Sequence, residues 1–201
     1  ANYRLGIIII NEILKSEKEI IFLNIGTILP KQSGLYAFSK NQFSELGKFI
    51  SNREKKYTFK NIILQNMYGP NDDESKFTSY VINACLRNNE DVNLTRGNQL
   101  RDFIYIKDVI DAIVIICNNI SAIDSIDIEI GSGLLVSIKD FVLKLHKLSN
   151  SNVKLNFGAI QDNINQFEIP AANIKILNNL SWKPSYNLED GLVETIKLEI
   201  K

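Results

Sequence analysis

One stretch of the sequence decides the fold class, and it begins EIIFLNIGTILPKQSGLYAFSKNQFSELGKFISN (residues 19–52). Glu19 to Ile25 is a short apolar run typical of a buried strand, whereas Tyr36 to Asn52 carries apolar residues at helical spacing. A second apolar run follows at Asn61 to Asn66. Because strands separated by helices pair in parallel through right-handed crossovers, this pattern predicts an α/β fold with a parallel sheet.

The same alternation continues on both sides of this stretch. Residues 4–16 predict a helix before the first strand. Further along, the pattern predicts strands at Asp102–Ile106, Ser125–Ile130 and Val153–Phe157, and helices at Ser75–Arg87, Asp108–Asn118, Ser137–Leu148, Ala171–Leu177 and Leu188–Ile200. The last third is less regular, which predicts a smaller lobe.

The composition excludes several classes of protein. The 201 residues are 45% hydrophobic and 23% charged, which is ordinary globular usage. Lys and Arg together number 23, as do Asp and Glu, and no basic block could neutralise a run of phosphates, so nucleic-acid binding is not predicted. The longest apolar run, Leu5 to Ile10, is far shorter than the roughly 20 residues of a membrane span.

Cysteine and histidine usage points to a reducing compartment and to no metal site. Cys85 and Cys117 share no metal-ligand spacing and lie in apolar helical patterns, which predicts two buried thiols and no disulfide. We therefore expect a cytoplasmic protein. The single histidine, His146, lies beside the apolar stripe of its helix and is interpreted as a surface residue.

Tyr36 and Lys40 form the first candidate for chemistry. Their i, i+4 spacing at the start of a predicted helix places a phenol and an ammonium on one face. A nearby ammonium lowers the pKa of a phenol, so such a tyrosine can act as a general acid or base. Thr27 follows the first strand, where its hydroxyl could bond to the same reacting oxygen. The alternatives are that the spacing is accidental and that Thr27 only caps a turn.

Several ordered motifs point to one family. They are the strand Phe22–Thr27, the Tyr36-Ala37-Phe38-Ser39-Lys40 run, the Asn66-Met67-Tyr68-Gly69-Pro70 turn, the Gly97–Asp108 segment with its Arg101-Asp102-Phe103 core, and the closing Leu180-Ser181-Trp182-Lys183-Pro184 run. In this order they resemble the extended short-chain dehydrogenase/reductase family, the NAD-dependent epimerase/dehydratase group that acts on nucleotide-sugars.

The resemblance implies a set of catalytic roles. Tyr36 would be the catalytic acid/base, and Thr27 would orient the sugar oxygen. Lys40 would hold the nicotinamide ribose and tune Tyr36. The implied cofactor is NAD or NADP, with Tyr36, Lys40 and Met67 in contact with it.

The resemblance also implies a substrate site. Arg101 would pair with the substrate diphosphate, which suits a bidentate guanidinium, and Asn66 would contact the substrate. The alternative for Arg101 is a salt bridge at the rim. Lys76 and Phe77 could border the nucleotide-sugar or could simply form a solvated helix start. Asp108 is interpreted as the N-cap of its helix.

The sequence departs from the family pattern at its beginning. No Gly-rich turn that would cradle the cofactor pyrophosphate precedes the first strand, and Gly131-Ser132-Gly133 is rejected as a substitute because the third glycine of the fingerprint is absent. We therefore expect residues 1–70 to be the second half of the NAD(P)-binding Rossmann domain. Residues 71–201 would be mainly the substrate-binding lobe, with 102–148 partly returning to the Rossmann sheet.

The same departure predicts an N-terminally truncated chain. As a lone chain it is expected to bind NAD weakly or not at all and to be poorly soluble, because its first strand would expose an apolar edge.

A second departure narrows the reaction. Thr27 is followed by Ile28 and Leu29 rather than by the acidic pair of the sugar 4,6-dehydratases, which disfavours dehydration. The segment looks more like the 4-ketoreductases of the CDP-abequose synthase type and related 4-epimerases of bacterial surface polysaccharide synthesis. The substrate would be a CDP-, dTDP- or UDP-linked hexose, and the chain could form a homodimer. The alternative is a non-catalytic remnant or sugar-nucleotide-binding module.

Overall fold

The structure is a computed structural model that describes residues 2–88, 91–162 and 167–200. The chain divides into two compact units. The first unit runs to Leu64 and includes Asn119–Ile130, and the second takes Gln65–Asn118 and the chain from Gly131 onwards. The assignment of a cofactor role to one part of the chain and a substrate role to the other stays a prediction.

The elements alternate as an α/β fold, which confirms the predicted class. The helices are α1 (Asn2–Leu14), α2 (Leu35–Ser51), α3 (Phe77–Arg87), α4 (Ile106–Asn118), α5 (Ile138–Leu148), α6 (Lys175–Asn179) and α7 (Leu188–Glu199). The strands are β1 (Ile20–Ile25), β2 (Tyr57–Leu64), β3 (Asn66–Tyr68), β4 (Val92–Leu94), β5 (Leu100–Arg101), β6 (Phe103–Tyr105), β7 (Asp127–Ile130), β8 (Val136–Ser137) and β9 (Leu155–Phe157).

The boundaries differ from the prediction most clearly at the second strand. The predicted strand Asn61–Asn66 begins earlier, at Tyr57, and is interrupted at Gln65. Its two parts pair with different strands, β2 with β1 and β7, and β3 with β6. The short strands β4, β5 and β8 were not predicted, because two or three residues are too few to show a period of two.

The first unit is built on a parallel sheet in the order β1-β2-β7, as the alternation of strands and helices predicts. Its core contains Ile10 of α1, Phe43 of α2, and Tyr57 and Phe59 of β2. Gly47 of α2 lets the helix lie close to the sheet, because a Cβ at this position would overlap the ring of Phe59.

A buried polar ladder fixes the register of this sheet. The Asn24 side-chain amide donates to Asn61 Oδ1 at 2.8 Å, and the Asn61 amide donates to Asp127 Oδ1 at 2.8 Å. Lys48 Nζ of α2 closes the ladder on Asp127 Oδ2 at 2.6 Å. A slip by one residue would leave these buried amides without partners, so the pairing of the three strands is strongly specified.

β1 is an outer strand of this sheet, as expected from the sequence. It exposes Ile21 and Ile25, and α1 exposes Leu5 and Ile8. Both elements therefore present large apolar side chains to solvent in the described structure.

In the second unit the described residues form three two-stranded pairs. β3 pairs with β6 and β4 with β9 in parallel, whereas β5 pairs with β8 antiparallel. α5 covers part of its core, where Phe141 stacks on Phe103 with ring centroids 4.3 Å apart.

The N-cap interpretation of Asp108 is wrong. α4 begins two residues earlier, so Asp108 lies in its first turn and is buried. Its carboxylate accepts the backbone N–H groups of Ser185 at 2.9 Å and Tyr186 at 3.1 Å. Asp108 thus holds the segment that leads into α7, and burial raises the pKa of its carboxyl despite these two hydrogen bonds.

The interpretation of the cysteines and the histidine is partly corrected. Cys85 is buried, but Cys117 is exposed, because α4 has a second apolar face at Ile110 and Val114 that the described residues leave uncovered. His146 is half-buried rather than fully on the surface, and its Nε2 donates to the Val153 carbonyl at 2.9 Å. Within the described ranges no helix is long and apolar enough to cross a membrane.

Candidate active site

Thr27 and Lys40 meet at the carboxyl end of β1. Lys40 Nζ donates to the carbonyl of Ile25, the last residue of β1, at 2.7 Å. Two residues further on, the Thr27 hydroxyl accepts the Leu29 N–H at 3.2 Å and is half-buried. Ligands of parallel α/β sheets bind at this end of the strands, so the structure places both side chains where a ligand would be expected.

Tyr36 reaches the same region from the start of α2. A short 3₁₀ turn, Lys31–Ser33, leads to Gly34, whose φ of 144° is a conformation that favours glycine. Tyr36 is the second residue of α2, one turn before Lys40. The tyrosine is 55% exposed, and its hydroxyl has no hydrogen-bond partner among the described residues.

Lys40 supplies the positive charge among these three residues. Burial lowers the pKa of its ammonium, and no ion pair between described residues involves it. An ammonium has three donors, and the Ile25 carbonyl takes one of them. The two remaining N–H donors could bind the vicinal hydroxyls of a ribose. The Tyr36 hydroxyl, one helical turn away, could act as a general acid or base. The residues present therefore suit a nicotinamide nucleotide, although the roles of Thr27, Tyr36 and Lys40 stay predictions.

A second group of predicted residues lies in the other unit. Arg101 lines a cavity of about 690 Å³ together with Asn98, Gln99, Leu100, Leu135, Phe167, Glu168, Ile169 and Pro170. Its Nη1 donates to the Leu100 carbonyl at 2.6 Å, and partial burial lowers the pKa of its guanidinium. None of the ion pairs between described residues includes Arg101, so the alternative of a rim salt bridge finds no support in this part of the chain.

Two buried amides of the second unit have an unpaired atom, and one of them, Gln99, lines this cavity. Gln99 Oε1 and Asn66 Nδ2 are buried without a hydrogen-bond partner in the described part of the chain. Buried amides in proteins normally find partners, so each of these atoms could pair with a polar ligand group. Asn66 is held by its backbone N–H, which donates to the Asp102 carbonyl at 3.1 Å.

The structure does not bring the predicted substrate residues Asn66, Lys76 or Phe77 to the cavity that Arg101 lines. Lys76 precedes α3 and pairs with Asp72 at 2.7 Å, and Phe77 is 37% exposed at the start of that helix. Met67 lies half-buried in the middle of β3. For Lys76 and Phe77 these contacts agree better with the solvated helix start.

The sequence reasoning missed two other residues, Glu168 and Asp102. Glu168 adds a carboxylate to the cavity wall, but its stretch of chain has no hydrophobic period that would single it out. Asp102 is completely buried, and its carboxylate accepts the N–H groups of Ser132 at 2.7 Å and Gly133 at 3.0 Å. Because the Asp102 carboxylate already accepts these N–H groups, the Gly131-Ser132-Gly133 turn does not offer them to a phosphate. This agrees with the sequence analysis, which rejects Gly131-Ser132-Gly133 as a phosphate-binding turn.

Comparison with family models identifies an enzyme family. The model described as NAD dependent epimerase/dehydratase family matches residues 18–131, which is more than half of the chain.

Among curated proteins, the chain is similar to CDP-abequose synthases. It is 33% identical over 186 residues to the one of Salmonella typhimurium, covering 88% of this chain and 62% of that protein. It is 28% identical over 194 residues to the one of Salmonella muenchen, covering 94% and 66%. The chain thus spans less than two thirds of the length of these relatives. A probable GDP-L-fucose synthase of Oryza sativa is 26% identical over 142 residues, covering 66% of this chain and 42% of that protein.

Solved structures share the fold. The UDP-glucuronic acid 4-epimerase of Bacillus cereus, in complex with UDP-glucuronic acid and NAD, superposes with a TM-score of 0.82 at 20% identity, covering 99% of this chain and 67% of that one. RMD of Pseudomonas aeruginosa, complexed with NADPH, gives a TM-score of 0.79 at 14% identity, covering 99% and 73%. At these identities the likeness concerns the fold alone.

Proposed function

Because the chain belongs to the NAD dependent epimerase/dehydratase family, we propose that it acts as a nucleotide-sugar 4-ketoreductase or 4-epimerase. The observation that carries the proposal is the group at the end of β1. There Lys40 donates a hydrogen bond to the Ile25 carbonyl, and Thr27 follows Ile25 by two residues. Tyr36 is exposed and lies one helical turn before Lys40. A general acid, a positioning hydroxyl and a cation are what proton transfer at a sugar oxygen requires.

Each of the three side chains has a definite task in this proposal. The Tyr36 hydroxyl gives a proton to, or takes one from, the oxygen on C4 of the sugar, and Thr27 donates a hydrogen bond to that oxygen. The Lys40 ammonium donates to the ribose of the cofactor. NAD or NADP, when bound, supplies or takes up the hydride.

The substrate side of the proposal rests on Arg101. A half-buried guanidinium without a carboxylate partner among the described residues suits a diphosphate, which it can bind in a bidentate manner. Glu168 on the same cavity wall offers an acceptor for sugar hydroxyls. The similarity to CDP-abequose synthases favours a CDP-linked hexose and 4-keto reduction, in bacterial surface polysaccharide synthesis, over a dTDP- or UDP-linked hexose and 4-epimerisation.

A homodimer is part of the same proposal. The first two helices expose large apolar side chains, among them Leu5 and Ile8 of α1 and Phe38 and Phe49 of α2. Such surface supports self-association through these helices, and sedimentation velocity at several protein concentrations would test it.

The decisive experiment compares Tyr36→Phe with Tyr80→Phe in the full-length protein. Tyr80 is a matched control, because it is also exposed but lies on α3 in the other unit. With saturating NADPH or NADH and a CDP-linked 4-keto sugar, we expect turnover that Tyr36→Phe lowers about 10²- to 10⁴-fold and Tyr80→Phe leaves unchanged. The readouts are nicotinamide absorbance for reduction and NMR of the sugar for epimerisation.

The outcomes separate the proposal from its alternative. Equal rates for Tyr36→Phe and the unmodified chain would refute the role of Tyr36. Binding of the nucleotide-sugar without any turnover, over the whole range of cofactor concentration, would instead support a non-catalytic binding module.

A further inference from the structure

The buried carboxylate of Asp102, which lies between β5 and β6, accepts four hydrogen bonds from distant parts of the chain. Oδ1 accepts the Ser132 N–H at 2.7 Å and the Ser132 hydroxyl at 2.6 Å. Oδ2 accepts the N–H groups of Gly133 and Ala172, both at 3.0 Å. These donors lie 30 to 70 residues further along the chain, so one side chain joins three separate segments.

The N–H and O–H groups that donate to the Asp102 carboxylate take the place of a cationic partner. No ion pair between described residues includes Asp102, and its side chain has no exposed surface. Hydrogen bonds to an ionised acceptor are about twice as strong as neutral ones, which makes four of them a rigid junction. The geometry at Ser132 and Gly133, where Gly133 has a φ of 77°, presents successive N–H groups to one anion.

The junction is built for close approach. A Cβ at Gly131 would lie 2.5 Å from Asp102 Oδ2 and 2.6 Å from the Cβ of Ala172. No side chain larger than hydrogen fits between the turn and the carboxylate without displacing one of them. Gly131 is therefore required here by packing, not by a ligand.

The segments that Asp102 joins continue directly into the walls of the Arg101 cavity. Leu135 follows the Ser132-Gly133 turn by two residues, and Pro170 precedes Ala172 by two. Pro170 has a second tether, because its carbonyl accepts the side-chain amide of Gln65 at 3.0 Å. Arg101 itself is the residue before Asp102. The segments that carry Arg101, Leu135 and Pro170 are therefore all connected, by the chain or by hydrogen bonds, to one carboxylate.

We propose that Asp102 is a positioning residue that holds the Leu135 wall and the Phe167–Pro170 wall of the cavity at a fixed distance from Arg101. A cavity whose walls are ordered before binding loses less conformational freedom when a ligand enters, which raises affinity. The inference rests on the proposed function in one respect, that the ligand of this cavity carries a nucleoside diphosphate.

Asp102→Asn tests the inference, with Asp108→Asn as a matched control. Both residues are buried aspartates in the same unit that accept two or more backbone N–H groups, but Asp108 holds Ser185 and Tyr186, which do not line the cavity. In Asp102→Asn an NH₂ group replaces one carboxylate oxygen and faces N–H donors. We expect the dissociation constant for CDP, measured by calorimetry on folded protein, to rise about tenfold or more in Asp102→Asn. In Asp108→Asn it should change less than about twofold.

Hydrogen exchange gives a readout that needs no ligand. In Asp102→Asn the amides of Ser132, Gly133 and Ala172 should exchange at least about tenfold faster than in the unmodified chain, whereas Asp108→Asn should leave them unchanged. If the unmodified chain binds no CDP, the substrate side of the proposed function fails, and the exchange rates alone then decide the role of Asp102.

Three results would overturn the inference. The first is unchanged CDP affinity and unchanged exchange in folded Asp102→Asn, and the second is an equal loss of affinity in Asp108→Asn. If Asp102→Asn does not fold, Ser132→Ala replaces it, because that change removes the hydroxyl donor at 2.6 Å and leaves the backbone donors to Asp102 in place. The third result is CDP affinity and exchange in Ser132→Ala that equal those of the unmodified chain.

Discussion

Replacement of Arg101 by Ala should weaken substrate binding without slowing the chemical step. The guanidinium lines the cavity of about 690 Å³, and its one hydrogen bond within the described chain goes to the Leu100 carbonyl. Because partial burial already lowers the pKa of Arg101, part of the cost of removing this cation from water is present in the free protein. A diphosphate that binds here recovers that cost.

The size of the effect follows from the type of contact. A hydrogen-bonded pair with charged groups contributes about 1.5 to 3 kcal/mol, which corresponds to about ten- to a hundredfold in affinity. Arg101 is half-buried rather than fully buried, so water screens part of the interaction and the lower end, about tenfold, is expected. The diphosphate is the same in the ground state and the transition state, so KM should rise and kcat should stay nearly constant.

The assay measures KM and kcat for the nucleotide-sugar and, separately, the dissociation constants of CDP and cytidine. Arg101→Ala should weaken CDP and leave cytidine nearly unchanged, because only CDP carries the diphosphate. Arg101→Lys should restore binding in part, since an ammonium cannot bind in the two-pronged manner. Arg87→Ala is the matched control, because Arg87 pairs with Glu74 and lies outside the cavity.

Two results would refute the reasoning about Arg101. An unchanged KM together with a lower melting temperature would make it a structural residue at the cavity rim. Equal losses for CDP and cytidine would show that the substitution disturbs the cavity as a whole instead of removing a phosphate contact.

Two further predictions concern Lys40 and Asp108. Lys40→Met removes the donor to the Ile25 carbonyl. In the full-length protein it should raise the dissociation constant of NADPH about tenfold in a fluorescence titration, with partial recovery in Lys40→Arg. Equal NADPH binding by Lys40→Met would remove Lys40 from the cofactor site. Burial raises the pKa of Asp108 in the folded state, so its contribution to stability is full below the unfolded pKa of about 4 and is lost as pH rises through the folded pKa. The free energy of unfolding of the unmodified chain, measured by urea titration relative to Asp108→Asn, should therefore decrease as the pH rises above about 4. A difference in free energy that grows with pH would contradict this.

The sequence predicted those parts of the site that depend on neighbours along the chain. Tyr36 and Lys40 lie one turn apart because a helix repeats every 3.6 residues, and Thr27 follows β1 because the apolar run ends there. The parallel pairing of β1 with β2 also follows from the order of strand, helix and strand. Each of these features is encoded within about 40 residues, where a hydrophobic period or a spacing can be read directly.

Exposure was harder to predict from the sequence. The apolar period of α4 continues around the helix, so Cys117 on its second face could not be distinguished from the buried Val109 and Ile116 by pattern alone. Which face is covered depends on the elements that pack against it, and these come from distant parts of the chain.

Only the tertiary structure decided which polar groups meet inside the second unit. Asp108 carries the residue type of an N-cap, but its carboxylate bonds to backbone groups 77 residues further on. Asp102 follows Arg101 in a recognisable motif, yet its partners at Ser132 and Ala172 belong to segments without any sequence signal of that contact. A buried carboxylate must find donors wherever the fold supplies them, and that supply depends on how the chain returns through space and not on the order of its residues.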